Sequence, residues 1–291
     1  MTQPAATLRY DVVDVFTDRP FAGNPLAVVH GADELSTGQM QAIAREFNLS
    51  ETTFPLPSLV GADYFVRIFT PVSEIAFAGH PSIGTAWVLA RDGVFGHGDV
   101  VQECGAGLLP LTVDAAGALL TGGAPATHGD LDPLPMLAAV GLEPSDLDGA
   151  APAGMAGAGA DFAFLAVAGG AVARARPNLA AIASLDVKLG FALFSFDGAR
   201  RSAHLRMFAP AFGIPEDPAT GSAALALGVF LVWRGVLPAS GESAFVVAQG
   251  AEIGRPSRLS CTVTAEAGVA LRTTVHGTVA PVSSGRIAIP R

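Results

Sequence analysis

One motif occurs twice in this chain, and the repetition constrains the fold more than any other feature. Residues 67–86 read RIFTPVSEIAFAGHPSIGTA, and residues 206–223 read RMFAPAFGIPEDPATGSA. Both copies open Arg-apolar-Phe-x-Pro. Both close with a polar residue, Pro, two residues, Gly, a hydroxyl residue and Ala. His80 therefore matches Asp217, Pro81 matches Pro218, Gly84 matches Gly221 and Thr85 matches Ser222. The copies are separated by close to half of the 291 residues. A duplicated half with a different ionisable group at one matched position predicts two lobes facing each other across one site. It points to an enzyme.

Each copy leads into an apolar stretch, IGTAWVLA over Ile83–Ala90 and AALALGVFLVW over Ala223–Trp233. A helix without a polar face must be wrapped by protein on all sides. The surrounding segments are short and strand-like: Tyr10–Phe16, Leu26–Val29, Ser50–Pro57, Tyr64–Thr70, Leu109–Val113, Phe162–Ala168, Phe191–Phe196, Ala203–Phe208, Ala244–Ala248, Leu259–Thr264 and Val269–Val275. Thr37–Phe47 carries apolar residues at helical spacing, with Ser36 or Thr37 as its cap. The expected class is α+β, with two pseudo-symmetric lobes, each a barrel-like sheet around a central apolar helix. The lobes are expected at 1–124 and 125–291, with the C-terminal residues able to return to the first. The Ala/Gly run Gly149–Ala160 reads as a surface loop. Its glycines (154, 157, 159) lack the preceding strand that a dinucleotide loop requires.

Half the residues are hydrophobic and 15% are charged, which suits a large core. The net charge of −9, without a basic run, argues against a nucleic-acid surface. No stretch approaches the ~20 apolar residues of a membrane span, and no secretory signal is recognisable. Two cysteines, Cys104 and Cys261, make neither a disulfide framework nor a four-ligand zinc site. His30, His97, His128, His204 and His276 lack metal-ligand spacing. The expectation is a cytoplasmic protein with no metal, cofactor, nucleic-acid or membrane partner.

In Gly79-His80-Pro81 and Glu216-Asp217-Pro218 an ionisable residue precedes Pro just before an apolar helix. N-capping would explain Asp217 well and His80 poorly. A Gly-Thr or Gly-Ser step at a helix start exposes N–H groups and a hydroxyl, a cradle for a carboxylate. Sequence leaves open whether each helix begins at its Pro or at its Gly. Glu51, in Ser50-Glu51-Thr52-Thr53-Phe54, taken alone reads as a solvated surface residue. Phe21-Ala22-Gly23-Asn24-Pro25 reads as a turn whose Asn side chain can reach a ligand. Cys104 reads as a buried, inert thiol.

DVFTDRPFAGNPLAVV, SETTF, FAGHPSIGTA, EDPATGSA and QGAEIGRPSRL together resemble the phenazine-biosynthesis PhzF-like isomerase family, of diaminopimelate-epimerase-like fold. The resemblance implies two similar lobes with the active site between them, and a homodimer. It places the family's acid/base glutamate on Glu51, with His80 and Asp217 as further catalytic residues. Asn24, Gly79, Gly84, Thr85, Gly221 and Ser222 become substrate-binding positions. Where epimerases of this fold carry two thiols, this chain has His80 and Asp217, which argues against thiol-based stereoinversion. The implied activity is cofactor-independent proton relocation on a small carboxylate-bearing, dihydro-hydroxyanthranilate-like molecule. The alternatives are an epimerase or racemase, or a non-catalytic small-molecule binding protein.

Overall fold

A computed structural model describes residues 6–185, 187 and 189–291. The chain forms two compact units. Unit 1 takes the segment up to Leu120 and returns at Gly277; unit 2 is Thr121–His276. Unit 1 contains β1 (Thr7–Val15), β2 (Asn24–Val29), α1 (Thr37–Phe47), β3 (Glu51–Leu56), β4 (Tyr64–Phe69), β5 (Glu74–Ile75), α2 (Gly79–Arg91), β6 (Gly98–Cys104), β7 (Gly107–Val113) and β8 (Gly117–Thr121). Unit 2 contains β9 (Pro125–Asp130), α3 (Pro133–Ala139), β10 (Gly154–Ala158), β11 (Asp161–Ala166), α4 (Ala171–Arg174), α5 (Leu179–Ala183), β12 (Phe191–Asp197), β13 (Ser202–Ala209), β14 (Ile214–Asp217), α6 (Gly221–Trp233), β15 (Gly241–Gln249) and β16 (Ser257–Glu266). The last strand, β17 (Val269–Ala288), begins in unit 2 and ends in unit 1.

In unit 1, hydrogen-bonded neighbours run β1–β2–β3–β4–β6–β7–β8. β17 pairs with both β8 and β1, so the sheet closes into a barrel. α2 fills it, with ten of its thirteen residues buried. A Cβ on Gly84 would stand 2.6 Å from Leu26 and 2.9 Å from Val15, so only glycine lets the helix approach β1 and β2 this closely. α1 packs Met40, Ile43 and Ala44 on the other face of the sheet, against Phe54 and Phe69. Ser36 caps it through a reciprocal box with Gln39, as its sequence predicts.

In unit 2 the order is β9–β10–β11–β12–β13–β15–β16–β17. The Gly122 N–H bonds the Thr273 carbonyl at 2.9 Å, linking the two ends. α6 lies inside and is apolar all round, with eleven of thirteen residues buried. Its Phe230 ring sits 5.1 Å from Phe164 and 5.7 Å from Phe194. The short α3, α4 and α5 cover the other face, over Leu165, Phe191 and Phe208.

The surface loop expected at Gly149–Ala160 is corrected here. Its Gly154–Ala158 segment is β10, and every residue of it is buried. A Cβ on Gly154 would meet the Trp233 ring at 2.8 Å. Small residues stand there because the helix packs against the strand, not because the chain turns. The helix over Ile83–Ala90 is also longer than expected and starts at Gly79.

Candidate active site

At one end of unit 1 the chain brings together the starts of β2, β3 and α2. β2 and β3 are parallel, with Leu26 opposite Glu51, so Asn24 and Glu51 lie at the same end of the barrel. Asn24 opens β2, Glu51 opens β3, and Gly79 and His80 open α2. All three polar side chains are buried: Asn24 completely, His80 to 4% exposure and Glu51 to 6%. Glu51 is therefore no solvated surface residue.

His80 Nε2 stands 3.2 Å from Glu51 Oε2. The approach is within ion-pair range, yet it is out of line for a hydrogen bond with the resting ring. The ring bonds the Pro25 carbonyl, so its N–H points there and its other nitrogen faces Glu51. Burial pushes the His80 pKa from 6.5 down to about 3, outweighing the Pro25 bond, so the imidazole is neutral at physiological pH. A neutral ring whose lone pair faces a carboxyl group is a proton acceptor for that group.

The structure answers the question of where the helices begin, and differently for each copy. α2 begins at Gly79, before its Pro; α6 begins at Gly221, after its Pro. Gly84 and Thr85 therefore sit in the second turn of α2, where the N–H groups belong to the helix's own bonding pattern. The cradle expected at Gly84–Thr85 is not formed. Gly84 is a packing contact, and the Thr85 hydroxyl bonds the Thr53 hydroxyl at 2.8 Å. That bond ties α2 to β3 two residues beyond Glu51. In α2 the first-turn N–H groups are instead those of Gly79 and His80, since Pro81 has none, and Ala78 provides no side-chain cap.

In unit 2, Asp217 ends β14 and is 6% exposed. The N-cap residue of α6 is Thr220, whose side chain makes no capping bond to the helix. The Gly221, Ser222 and Ala223 N–H groups thus have neither a carbonyl four residues back within the helix nor a side-chain cap. Thr220 instead donates its hydroxyl to Asp217 Oδ2 at 2.5 Å. Gln249 accepts from the Thr220 N–H at 3.1 Å, and its amide nitrogen donates to the Asp217 carbonyl at 2.8 Å and to Thr220 Oγ1 at 3.0 Å. Sequence reasoning passed over Thr220 and Gln249, although both lie in the motifs that carried the resemblance.

The remaining candidates take ordinary places. Cys104 and Cys261 are buried, and burial raises both thiol pKa values, consistent with inert thiols. Asp11, His30 and Asp92 cluster closely enough to hold a cation. However, Arg91 bonds Asp11 at 2.8 Å, and Arg9 bonds Asp92, so guanidinium groups already neutralise the carboxylates. Among the described residues no helix is long and apolar enough to cross a membrane.

Known proteins agree with this architecture. A trans-2,3-dihydro-3-hydroxyanthranilate isomerase of Pseudomonas aeruginosa is 36% identical over 261 residues, covering 86% of this chain and 88% of that protein. The crystal structure of a PhzF-family phenazine biosynthesis protein from Bacillus anthracis superposes with a TM-score of 0.87 at 27% identity, over 98% of this chain and 100% of that one. A hydroxyproline epimerase from Agrobacterium vitis shares the fold alone, at a TM-score of 0.67 and 15% identity, over 98% of this chain and 93% of that one. The PhzC-PhzF family, described as phenazine biosynthesis-like protein, matches residues 13–285. With nearly its full length matched, the chain belongs to the phenazine biosynthesis-like PhzF family and is an isomerase of that family.

Proposed function

We propose that the protein relocates a proton on a small, carboxylate-bearing, dihydro-hydroxyanthranilate-like molecule, with Glu51 as the acid/base and no cofactor. The observation that carries this reading is the 3.2 Å approach of Glu51 to a histidine that burial keeps neutral. Glu51 takes a proton from a substrate carbon next to an unsaturated system, and the electron pair moves into that system. The protonated Glu51 turns its O–H to the His80 Nε2 lone pair, which holds the proton in place. Glu51 then returns it to a different carbon of the same molecule, so nothing is oxidised or reduced. Separations of ~2.6–3.2 Å are what such transfers need.

The substrate carboxylate is assigned to the N-terminus of α6, where the Gly221 and Ser222 N–H groups and the Ser222 hydroxyl favour an anion. Asp217 and Asn24 orient the polar substituents, and the Gly79 and His80 N–H groups add donors at the start of α2. Gly84 and Thr85 act indirectly, through helix packing and Thr53. By family analogy the protein is a cytoplasmic homodimer, which sedimentation velocity checks.

Deuterium wash-in tests the reading. Incubation with trans-2,3-dihydro-3-hydroxyanthranilate in heavy water should place deuterium on carbon, and Glu51→Gln should lower the rate ~10²–10⁴-fold. Inversion at a single labelled carbon would reassign the protein as an epimerase. Binding without any exchange would make it a binding protein.

A further inference from the structure

The hydrogen bonds around Asp217 can each be given a direction, because two of their ends are backbone groups with fixed roles. The Thr220 N–H can only donate, so the Gln249 atom 3.1 Å away is the amide oxygen. The Asp217 carbonyl can only accept, so the Gln249 atom 2.8 Å away is the amide nitrogen. Two separate anchors thus agree on one orientation of the amide. That nitrogen also donates to Thr220 Oγ1, which leaves the Thr220 proton to point elsewhere. It points at Asp217 Oδ2, 2.5 Å away. Every member of this network is buried: Gln249 to 2%, Asp217 to 6% and Thr220 to 8% exposure.

We infer that Gln249 is a positioning residue that sets Thr220 as the donor and Asp217 Oδ2 as the acceptor, so that Asp217 meets its substrate as a carboxylate. A proton on Oδ2 would face the Thr220 proton, so the network disfavours the acid form at that atom. The inference rests on the proposed role of Asp217 as a substrate contact. It extends that reading by naming two residues, Thr220 and Gln249, that decide the form in which Asp217 acts.

Glu216, the preceding residue on β14, is bonded by Nε and Nη2 of Arg206 from β13. Glu252, after β15, also acts on Arg206. α6 carries no acidic residue in its first turn.

The test is carboxyl carbon NMR on the full chain labelled at aspartate, with the Asp217 signal assigned by its loss in Asp217→Asn. Thr220→Val removes the donor and keeps the shape, so the Asp217 titration midpoint should rise by about one pH unit, while Thr220→Ser keeps the wild-type midpoint. Gln249→Met should raise the midpoint in the wild-type background and add nothing in Thr220→Val, because it acts through Thr220. A midpoint unmoved in Thr220→Val, or moved equally in Thr220→Ser, overturns the inference. So does a Gln249→Met shift that persists undiminished beside Thr220→Val. These readings need no turnover. Full exchange activity in Asp217→Asn would instead remove the substrate contact on which the inference rests, whatever the midpoints show.

Discussion

The two copies of the motif share a frame and differ at its working end. In each, an arginine on one strand grips a glutamate on the next in a two-bond clasp from Nε and Nη2. Arg67 bonds Glu74 at 2.7 Å twice, and Arg206 bonds Glu216 at 2.9 and 2.8 Å. Each guanidinium lies 5.2 Å from the ring of the Phe two residues on. In each unit the arginine strand then pairs in parallel with the strand after the helix, β4 with β6 and β13 with β15. A buried glutamine on that strand serves the helix start: Gln102 bonds Ser82 at 2.9 Å, and Gln249 bonds Thr220. Yet α2 begins five residues before its matched glycine, and α6 begins on it. The first copy thereby carries His80 in a helical turn against Glu51. The second leaves Asp217 on a strand and opens the N–H groups of Gly221 and Ser222. One repeated frame thus sets a histidine against a glutamate in one unit, and a helix start beside an aspartate in the other.

The shared arginine clasp is the place to break this comparison with the largest effect. Arg206 and Glu216 side chains are only 6% and 10% exposed, and Arg206 also donates to the Val172 and Ala175 carbonyls. Arg67 and Glu74 are 19% and 38% exposed. Arg206→Ala should cost ~3–5 kcal/mol, because it strands a buried carboxylate. Arg67→Ala should cost no more than about 1 kcal/mol. Urea unfolding of the two variants decides the matter, and equal losses would mean that the clasps do the same job.

The matched ionisable position gives the next effect. His80 is buried and neutral, with its pKa lowered to about 3, whereas in the unfolded chain it returns to 6.5. Between those values the unfolded state binds the additional proton, so stability falls as pH drops below 6.5 and the loss is complete near pH 3. By pH 4 this amounts to ~3 kcal/mol. His80→Asn should remove that share of the acid sensitivity. Denaturation at pH 7 and pH 4 measures it, and an unchanged difference between the two pH values would show that His80 is not the group responsible.

How much of this was legible in the sequence depends on what each residue answers to. The central helices were readable because a segment that is apolar all round has only one place to go. β10 was not, because Gly-Met-Ala-Gly-Ala looks like a loop until Trp233 is packed against it. The length of β17 was hidden too, since its glycine and proline positions interrupt any strand pattern. At the site, the match of His80 to Asp217 was visible, but Glu51 gained weight only through resemblance. Thr220 and Gln249 were silent, because a neutral hydrogen-bonding side chain means nothing until its partners are known. The starts of the helices were ambiguous for a similar reason: the letters match, yet Gly84 lies inside α2 and Gly221 opens α6.

The seating of the two central helices can be compared with two alanines, one in each. Gly84→Ala places a Cβ 2.6 Å from Leu26 and 2.9 Å from Val15, inside a packed barrel. Overpacking of this kind should cost ~1–3 kcal/mol, even though alanine is the better helix former. Gly228, in the middle of α6, has a different neighbourhood: a Cβ there meets Thr273, Val263 and Phe245 at 3.4 to 3.5 Å, ordinary contact distances. Gly228→Ala should therefore gain up to about 1 kcal/mol from helix propensity alone. Thermal melts of the two variants should move in opposite directions. If both fell together, α6 would be as tightly seated at Gly228 as α2 is at Gly84. If both rose, the close approach at Gly84 would not be what fixes α2 against β1 and β2, and the reason for glycine at that matched position would have to be sought in the backbone instead.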